Sequence, residues 1–329
     1  MNHSPAHDAA PQHLSDSQRF YWLRLIRTER VGPVTFRQLV AKFGSAQLAL
    51  EALPEISARS GRLIKPAPED VIRREIELAH ALGAQFIALG EPDYPPLLRH
   101  LDNAPPLIAV LGDAAALACP ALAIVGSRNA SANGARFART LATGIAADGF
   151  PIASGLARGI DRAAHEGAFD GGGTIAVLAG GLDRPYPPQN LDLLARIVDT
   201  QGSCAITVMP FGHEPQARDF PRRNAIIAGL ALGVVVVEAS ERSGSLITAT
   251  MATEAGRMVF AVPGHPLDPR SSGTNGLIRE GAELVRSADD VLDVIRPMKT
   301  LPSLVPVRAA RPMPPQNAMA KRDRQPGPP

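Results

Sequence analysis

Gly126-Ser127-Arg128 follows the apolar run Ala121-Leu-Ala-Ile-Val125 directly and leads into a polar stretch, Asn129-Ala-Ser-Ala-Asn-Gly134, that opens a helix. A strand, a tight turn and a helix N-terminus make a place to hold an anion, because the first helical N–H groups lack partners within the helix and the helix dipole is positive there. The turn carries a guanidinium where a dinucleotide fingerprint carries glycines. The G-x-G-x-x-G spacing that lets backbone press against a pyrophosphate is missing. The anion to expect is therefore a nucleic-acid phosphate and not NAD.

Further loops of the same kind recur along the chain. Ser154-Gly155-Leu156-Ala157-Arg158-Gly159-Ile160-Asp161 follows one apolar run, and Gly180-Gly181-Leu182-Asp183 with Tyr186-Pro187 follows another. Phe220-Pro221-Arg222-Arg223-Asn224 precedes the run Val234–Val237, and Glu238-Ala-Ser-Glu-Arg-Ser-Gly244-Ser245 follows it. In open parallel sheets ligands bind beyond the carboxyl ends of the strands, so these loops converge on one edge. Each residue also has a structural reading. Arg128 caps a carbonyl or pairs with Asp161, Gly155 and Gly159 permit tight turns, Asp161 complements a helix dipole, and Ser243-Gly244-Ser245 is an N-cap. Convergence of several loops is what favours the functional reading.

Catalytic constellations are missing from the sequence. His165, His213 and His265 form no H-x-x-x-H pair, and Cys119 and Cys204 no C-x-x-C, so neither a metal site nor a disulfide framework is expected. There is no G-x-S-x-G elbow around Ser127, Ser154 or Ser245 and no Gly-Lys-Ser/Thr. Glu238 and Glu241, beside Arg242, read as ion-pair partners. No catalytic residue, metal or cofactor is assigned.

The elements that must position these loops follow from hydrophobic patterning. Residues 16–90 read as a small helical domain, with helices at Tyr21–Ile26, Thr35–Phe43, Gln47–Ala52 and Pro68–Leu82 and helical character to about Leu89. Val31-Gly32-Pro33 resembles the hairpin of helix-hairpin-helix modules, though a plain helical turn is the favoured reading. Residues 91–297 alternate helical stretches with short runs that are apolar throughout, such as Val234–Val237, as parallel strands buried on both faces are. This is a doubly wound α/β pattern. Residues 1–15 and the Pro-rich basic tail 298–329 read as disordered. The tail holds six Lys/Arg against one Asp, so within a total of +2 the rest of the chain is slightly acidic. Overall charge therefore argues for no partner; only local clusters do. With 45% hydrophobic residues, no membrane-length apolar segment and no signal peptide, a cytoplasmic globular protein is expected.

The ordered motifs Ile124-Val-Gly-Ser-Arg128, Ser154-Gly-Leu-Ala-Arg-Gly-Ile-Asp161 with Ala164-His165, Tyr186-Pro187 with Asn190, Phe220-Pro-Arg-Arg-Asn224, Glu241-Arg-Ser-Gly-Ser-Leu-Ile-Thr248 and Ala261-Val-Pro-Gly264 with Gly273-Thr-Asn275 resemble the DprA/Smf family of bacterial natural transformation. The resemblance covers about Glu91 to Ile295, and the preceding helices are similar to that family's sterile-alpha-motif-like domain. It implies an extended Rossmann-like fold, homodimers, binding of single-stranded DNA, and loading of the RecA recombinase. It also implies that Gly126, Ser127 and Arg128 form a phosphate pocket, with Gly155, Arg222, Arg223 and Asn224. Ser154, Arg158, Gly244 and Ser245 complete the candidate set. This chain departs from the family at Pro188-Gln189-Asn190-Leu191, where many relatives carry a lysine near Tyr-Pro, and in a tail too short for their winged-helix domain. A nucleotide-processing enzyme of the phosphoribohydrolase type is the alternative. Its Pro-Gly-Gly-x-Gly-Thr-x-x-Glu pattern is not reproduced, since Gly244, Thr248 and Glu254 have the wrong intervals.

Overall fold

The computed structural model describes residues 13–61 and 63–298. The segments read as a disordered N-terminus and a Pro-rich tail fall almost wholly outside those residues.

Helices α1 (Asp16–Arg27), α2 (Pro33–Phe43), α3 (Ala46–Ser60) and α4 (Glu69–Leu82) form the N-terminal unit. Ser15 starts α1 with a capping box completed by Gln18, and Ser45 accepts a hydrogen bond from the Leu48 N–H at the start of α3. Leu25, Phe36, Ala49 and Leu53 make its core. The sequence stops the third helix at Ala52, whereas α3 runs through Pro54 to Ser60. A proline removes one backbone donor, but burial of the face carrying Leu50, Leu53 and Ser57 continues past it.

Among the described residues the strands form one sheet of nine in the order β1-β2-β6-β5-β4-β3-β7-β8-β9, with helices packed on it. The strands are β1 (Gln85–Ala88), β2 (Leu107–Gly112), β3 (Ala121–Val125), β4 (Ile152–Ser154), β5 (Thr174–Val177), β6 (Cys204–Thr207), β7 (Ala231–Val236), β8 (Met258–Ala261) and β9 (Glu283–Leu284). The helices are α5 (Pro96–Arg99), α6 (Ala132–Ala147), α7 (Ile160–Ala168), α8 (Leu191–Asp199), α9 (Asp219–Leu230), α10 (Gly244–Glu254), α11 (Ser272–Arg279) and α12 (Ala288–Ile295). From β6 to β9 all pairs are parallel, while β1 and β2 extend the sheet antiparallel beyond β6. The architecture is the doubly wound, mostly parallel α/β sheet with a preceding helical unit that the sequence predicts.

Two features depart from the sequence reading. Helical character to Leu89 is corrected: Gln85–Ala88 is a strand whose Phe86 and Ile87 enter separate cores. The run Leu107–Leu111, buried for most of its length, is also a strand and is not among the apolar runs read from the sequence.

Successive residues of β3 serve opposite faces, as strand geometry requires. Ala121, Ala123 and Val125 pack with Ile226 and Ile227 of α9 and Ala249 and Ala252 of α10. Leu122 and Ile124 pack with Leu141 and Ile145 of α6 and Ile160 of α7. The chain winds from β3 outward through β4, β5 and β6, then restarts on the other side of β3 with β7 and β8. The strand order therefore reverses between β3 and β7, which is where an open α/β sheet forms its ligand crevice. The helical unit is fastened to the same sheet. Arg27 donates to the Val208 carbonyl at 3.1 Å while forking onto Glu75, and Glu91 accepts from Arg19 and from the Leu14 N–H.

Candidate functional site

A cleft of about 960 Å³ opens at that reversal. Its walls are the β3–α6 loop with Gly126, Ser127 and Arg128, the start of α9 with Phe220, Arg223 and Asn224, the Ser243–Ser245 turn before α10, and Asp268–Arg270. A smaller pocket of about 200 Å³ adjoins it, sharing Arg128, Ala157, Phe220 and Arg223 and adding Gly155, Arg158, Tyr186 and Gln189. The two form one groove across the carboxyl ends of the central strands.

Arg128 is exposed in this groove and forms no hydrogen bond or ion pair among the described residues. Its guanidinium carbon lies 5.1 Å from the centre of the Phe220 ring, a cation–π placement that aims the group along the groove. The Arg128–Asp161 pair considered from the sequence is not formed. Asp161 is instead buried at the first turn of α7, where its Oδ2 accepts from the Gly155 and Ala157 N–H groups at 3.1 and 3.3 Å.

Arg223 supplies the charge beneath. It is only 6% exposed, lies 3.9 Å from Asp161, and leaves Nε and Nη1 without any hydrogen-bond partner. Burial holds its guanidinium below the usual arginine range, and burial raises the Asp161 carboxyl against the opposing pull of Arg223. A Cβ on Gly155 would fall within this guanidinium, so a glycine is needed for the arginine to reach the groove. Gly159, at φ +76°, brings the β4–α7 loop against the Ser127 and Arg128 carbonyls, and the Ile160 N–H donates to the Ser127 carbonyl at 3.2 Å.

The loop carrying Gly155 is fixed from below. Leu156 has φ +58°, unusual for a residue with a side chain. Its N–H donates to His165 Nε2 at 3.3 Å, and its carbonyl accepts from Asn190 Nδ2 at 2.8 Å. His165, fully buried, donates from Nδ1 to Thr174 Oγ1 at 2.7 Å, and that hydroxyl donates onward to the Ile152 carbonyl. Both ring nitrogens are thus used with the imidazole neutral.

Of the candidate set, Gly126, Ser127, Arg128, Arg223, Asn224, Gly244 and Ser245 line the cleft, and Gly155 and Arg158 the adjoining pocket. Two candidates do not reach it. Ser154 is fully buried and donates to the Ile124 carbonyl at 2.7 Å, bracing β4 on β3. Arg222 turns away toward Met209 Sδ, 3.9 Å distant, and feels the charge of Arg27, because consecutive helical residues point about 100° apart. The helix terminus invoked for the anion is partly taken. Glu238 accepts from the Ser131 N–H at 3.0 Å and its hydroxyl at 2.5 Å, while Ser131 accepts from the Gly134 N–H at 2.9 Å. Glu238 is a cap of α6 and not an ion-pair partner of Arg242, so loop amides and guanidinia remain for an incoming anion. Phe220, Tyr186 and Arg270 were not among the candidates. The apolar, aromatic ends of the Phe220-Pro221 and Tyr186-Pro187 motifs are the signal that was available. Among the described residues no group of three or more His, Cys, Asp or Glu could hold a metal ion, and no helix is long and apolar enough to cross a membrane.

Residues 85–296 match the family model of DNA recombination-mediator protein A, and residues 16–78 match the DprA-like N-terminal HHH domain. The chain belongs to the DprA/Smf family. Protein Smf of Escherichia coli strain K12 is 44% identical over 276 residues, 83% of this chain and 74% of that protein. The DNA processing protein DprA of Streptococcus pneumoniae is 46% identical over 202 residues, 60% of this chain and 70% of that protein. The X-ray structure of DprA from Streptococcus pneumoniae superposes with a TM-score of 0.70 at 34% identity, covering 86% of this chain and 98% of that one. A Helicobacter pylori DprA structure, reported for its single-stranded DNA binding mode, superposes with a TM-score of 0.59 at 26% identity, covering 65% of this chain and 97% of that one. The DprA/Smf motifs that border the groove are those at Gly126–Arg128, Gly155–Arg158, Phe220–Asn224 and Ser243–Ser245.

Proposed function

We propose that the groove binds single-stranded DNA by its phosphates, and that the protein is a homodimeric recombination mediator that protects incoming strands and loads RecA onto them. The observation that carries this reading is a pair of guanidinia without hydrogen-bonded partners in one crevice: Arg128 exposed, and Arg223 buried beneath it with two unsatisfied nitrogens. A buried, unsatisfied guanidinium is costly to maintain, and an anion repays that cost. Gly126, Ser127, Gly155, Arg158, Asn224, Gly244 and Ser245 would add amide, hydroxyl and charge contacts to the backbone of the strand, leaving base identity unread. Phe220 and Tyr186, with ring centres 6.1 Å apart, offer faces on which any base stacks. The single-stranded DNA binding reported for the Helicobacter pylori relative supports the same use of the fold.

The enzyme alternative finds no support in this groove. Glu254 is exposed at the far end of α10, about 14 Å of helix from Ser245. Asp161 and Asp268, the acids in the cleft, are engaged by backbone amides and by Arg270.

The test is a salt-titrated binding assay on single- and double-stranded oligonucleotides. Single strands are expected to bind more tightly, because their flexible backbone can bend into a crevice that a stiff duplex cannot enter. The log–log salt slope is expected at roughly −2 to −3, corresponding to about three or four neutralised phosphates. Arg128→Ala is expected to cost about 2 kcal/mol of binding, and Arg128→Lys to recover part of it, since an ammonium cannot fork onto two oxygens. The alanine variant should keep its fold and its RecA contact but fail to speed filament growth on single strands. Equal affinity for duplex, or unchanged affinity of Arg128→Ala, would overturn the reading.

A further inference from the structure

Arg270, a third guanidinium on the cleft wall, is given no part in the anion contacts proposed above. Its fork is closed on Asp268: Nε and Nη2 donate to the two carboxylate oxygens, each at 3.0 Å. Its main chain is fixed by two further bonds. The Arg270 carbonyl accepts from the Ala239 N–H at 2.7 Å, just beyond β7, and its own N–H donates to Asp268 Oδ1 at 2.9 Å. The backbone of this residue is therefore bolted to the sheet edge, while its head group, 42% exposed, is held by an exchangeable ion pair, with the Glu238 carboxylate adding a weaker attraction. A carboxylate presents two oxygens to a guanidinium in the same forked geometry as the two non-bridging oxygens of a phosphodiester.

We infer that Asp268 is a built-in competitor for the groove, occupying Arg270 in the empty protein until a phosphodiester of the bound strand takes its place. The inference rests on the single-strand-binding reading and adds a latch to it. Exchange is cheap in both directions. A partly exposed ion pair holds its partners by only a small factor, and Asp268 keeps the Arg270 N–H as a partner after the side chain leaves. The strand gains a third cationic contact, yet Asp268 stays beside it as a like charge that weakens that contact. A protein that must pass its strand to a recombinase gains from such a contact, because the carboxylate helps to release what the guanidinium holds.

The experiment measures binding of a labelled oligothymidylate to the full chain, with thermal stability recorded alongside. Asp268→Asn keeps an acceptor for the Arg270 N–H and loses the competing charge. It should bind about two- to five-fold more tightly than the parent, the range of an exposed ion pair. Arg270→Ala should bind about ten-fold more weakly and lower the salt slope by about 0.7, the loss of one neutralised phosphate on a single strand. Arg270→Gln, which keeps polar contacts at the loop, should weaken binding equally with unchanged thermal stability. Asp268→Asn combined with Arg270→Ala should match Arg270→Ala alone. If Asp268→Asn binds no tighter and both Arg270 variants bind like the parent, the pair is a loop brace and the latch is refuted, while the Arg128 result still stands for the groove. If the parent chain binds no oligothymidylate, the groove reading fails and the latch falls with it.

Discussion

Arg223→Ala should lower folding stability by about 3–5 kcal/mol, read from denaturant unfolding, and should abolish measurable retention of single-stranded DNA. The arginine and Asp161 are both buried, 3.9 Å apart, and each is the nearest opposite charge to the other. Removing one partner of a buried pair strands the other, and Asp161 would keep only its bonds from Gly155 and Ala157. A second variant separates stability from binding. Asp161→Asn with Arg223→Met removes both charges, and because both amides donate to the same oxygen, the asparagine carbonyl can accept both in its place. This double variant should recover most of the stability and none of the DNA affinity. Gly155→Ala should move in the same direction as Arg223→Ala, since its methyl would occupy the space of the guanidinium. An Arg223→Ala variant that unfolds within about 1 kcal/mol of the parent would mean that water readily replaces the arginine, and that the pair organises nothing.

The arrangement around Arg223 also shows where sequence reasoning reaches and where it stops. Short runs such as Ala121–Val125 and Val234–Val237 are apolar at every position because both faces are covered, so they read as parallel strands. Loops beyond such strands must share an edge, which is why the convergence at Gly126–Arg128, Gly155 and Ser243–Ser245 was legible. Direction of side chains was not. Arg222 and Arg223 are adjacent in sequence and equivalent in composition, yet α9 sends one into the groove and the other toward Met209. Ser154 and Ser127 are both serines at strand ends, and only the extra residues of turn after Val125 carry Ser127 into the cleft. The α6 N-terminus read as open because Glu238, which covers it, lies 107 residues away in sequence. The antiparallel extension by β1 and β2 was hidden for a related reason. Gln85–Ala88 is too short to declare a period, and its pairing partner lies beyond a Pro-rich connection.

His165 makes the loop beneath the groove sensitive to acid. Burial, with a smaller contribution from Arg223, lowers its pKa to about 3, because the ring is fully enclosed and its Nε2 must accept the Leu156 N–H. In the unfolded chain the same ring titrates near ~6.5. As pH falls below that value the unfolded state takes up a proton that the folded state refuses, so stability drops with falling pH until the folded pKa is reached. The slope approaches about 1.4 kcal/mol per pH unit below the unfolded pKa, which integrates to about 2.3 kcal/mol between pH 6.5 and 4.5. Asp161, whose pKa burial raises, works in the opposite sense by binding its proton in the folded state first, so the comparison must be made between variants. His165→Gln offers an acceptor to Leu156 and a donor to Thr174 without a titrating ring, and its stability should fall by about 2.3 kcal/mol less over that interval. Single-strand binding by the folded protein should hold across that interval, because the ring stays neutral there, and should be lost only as pH nears 3, where protonation of His165 sets a new N–H against the Leu156 N–H and releases the turn, at φ +58°, that places Gly155 over Arg223. Parallel acid-unfolding profiles for the parent and His165→Gln would show that the buried ring accepts its proton without opening the loop, and would remove His165 as the support of the groove.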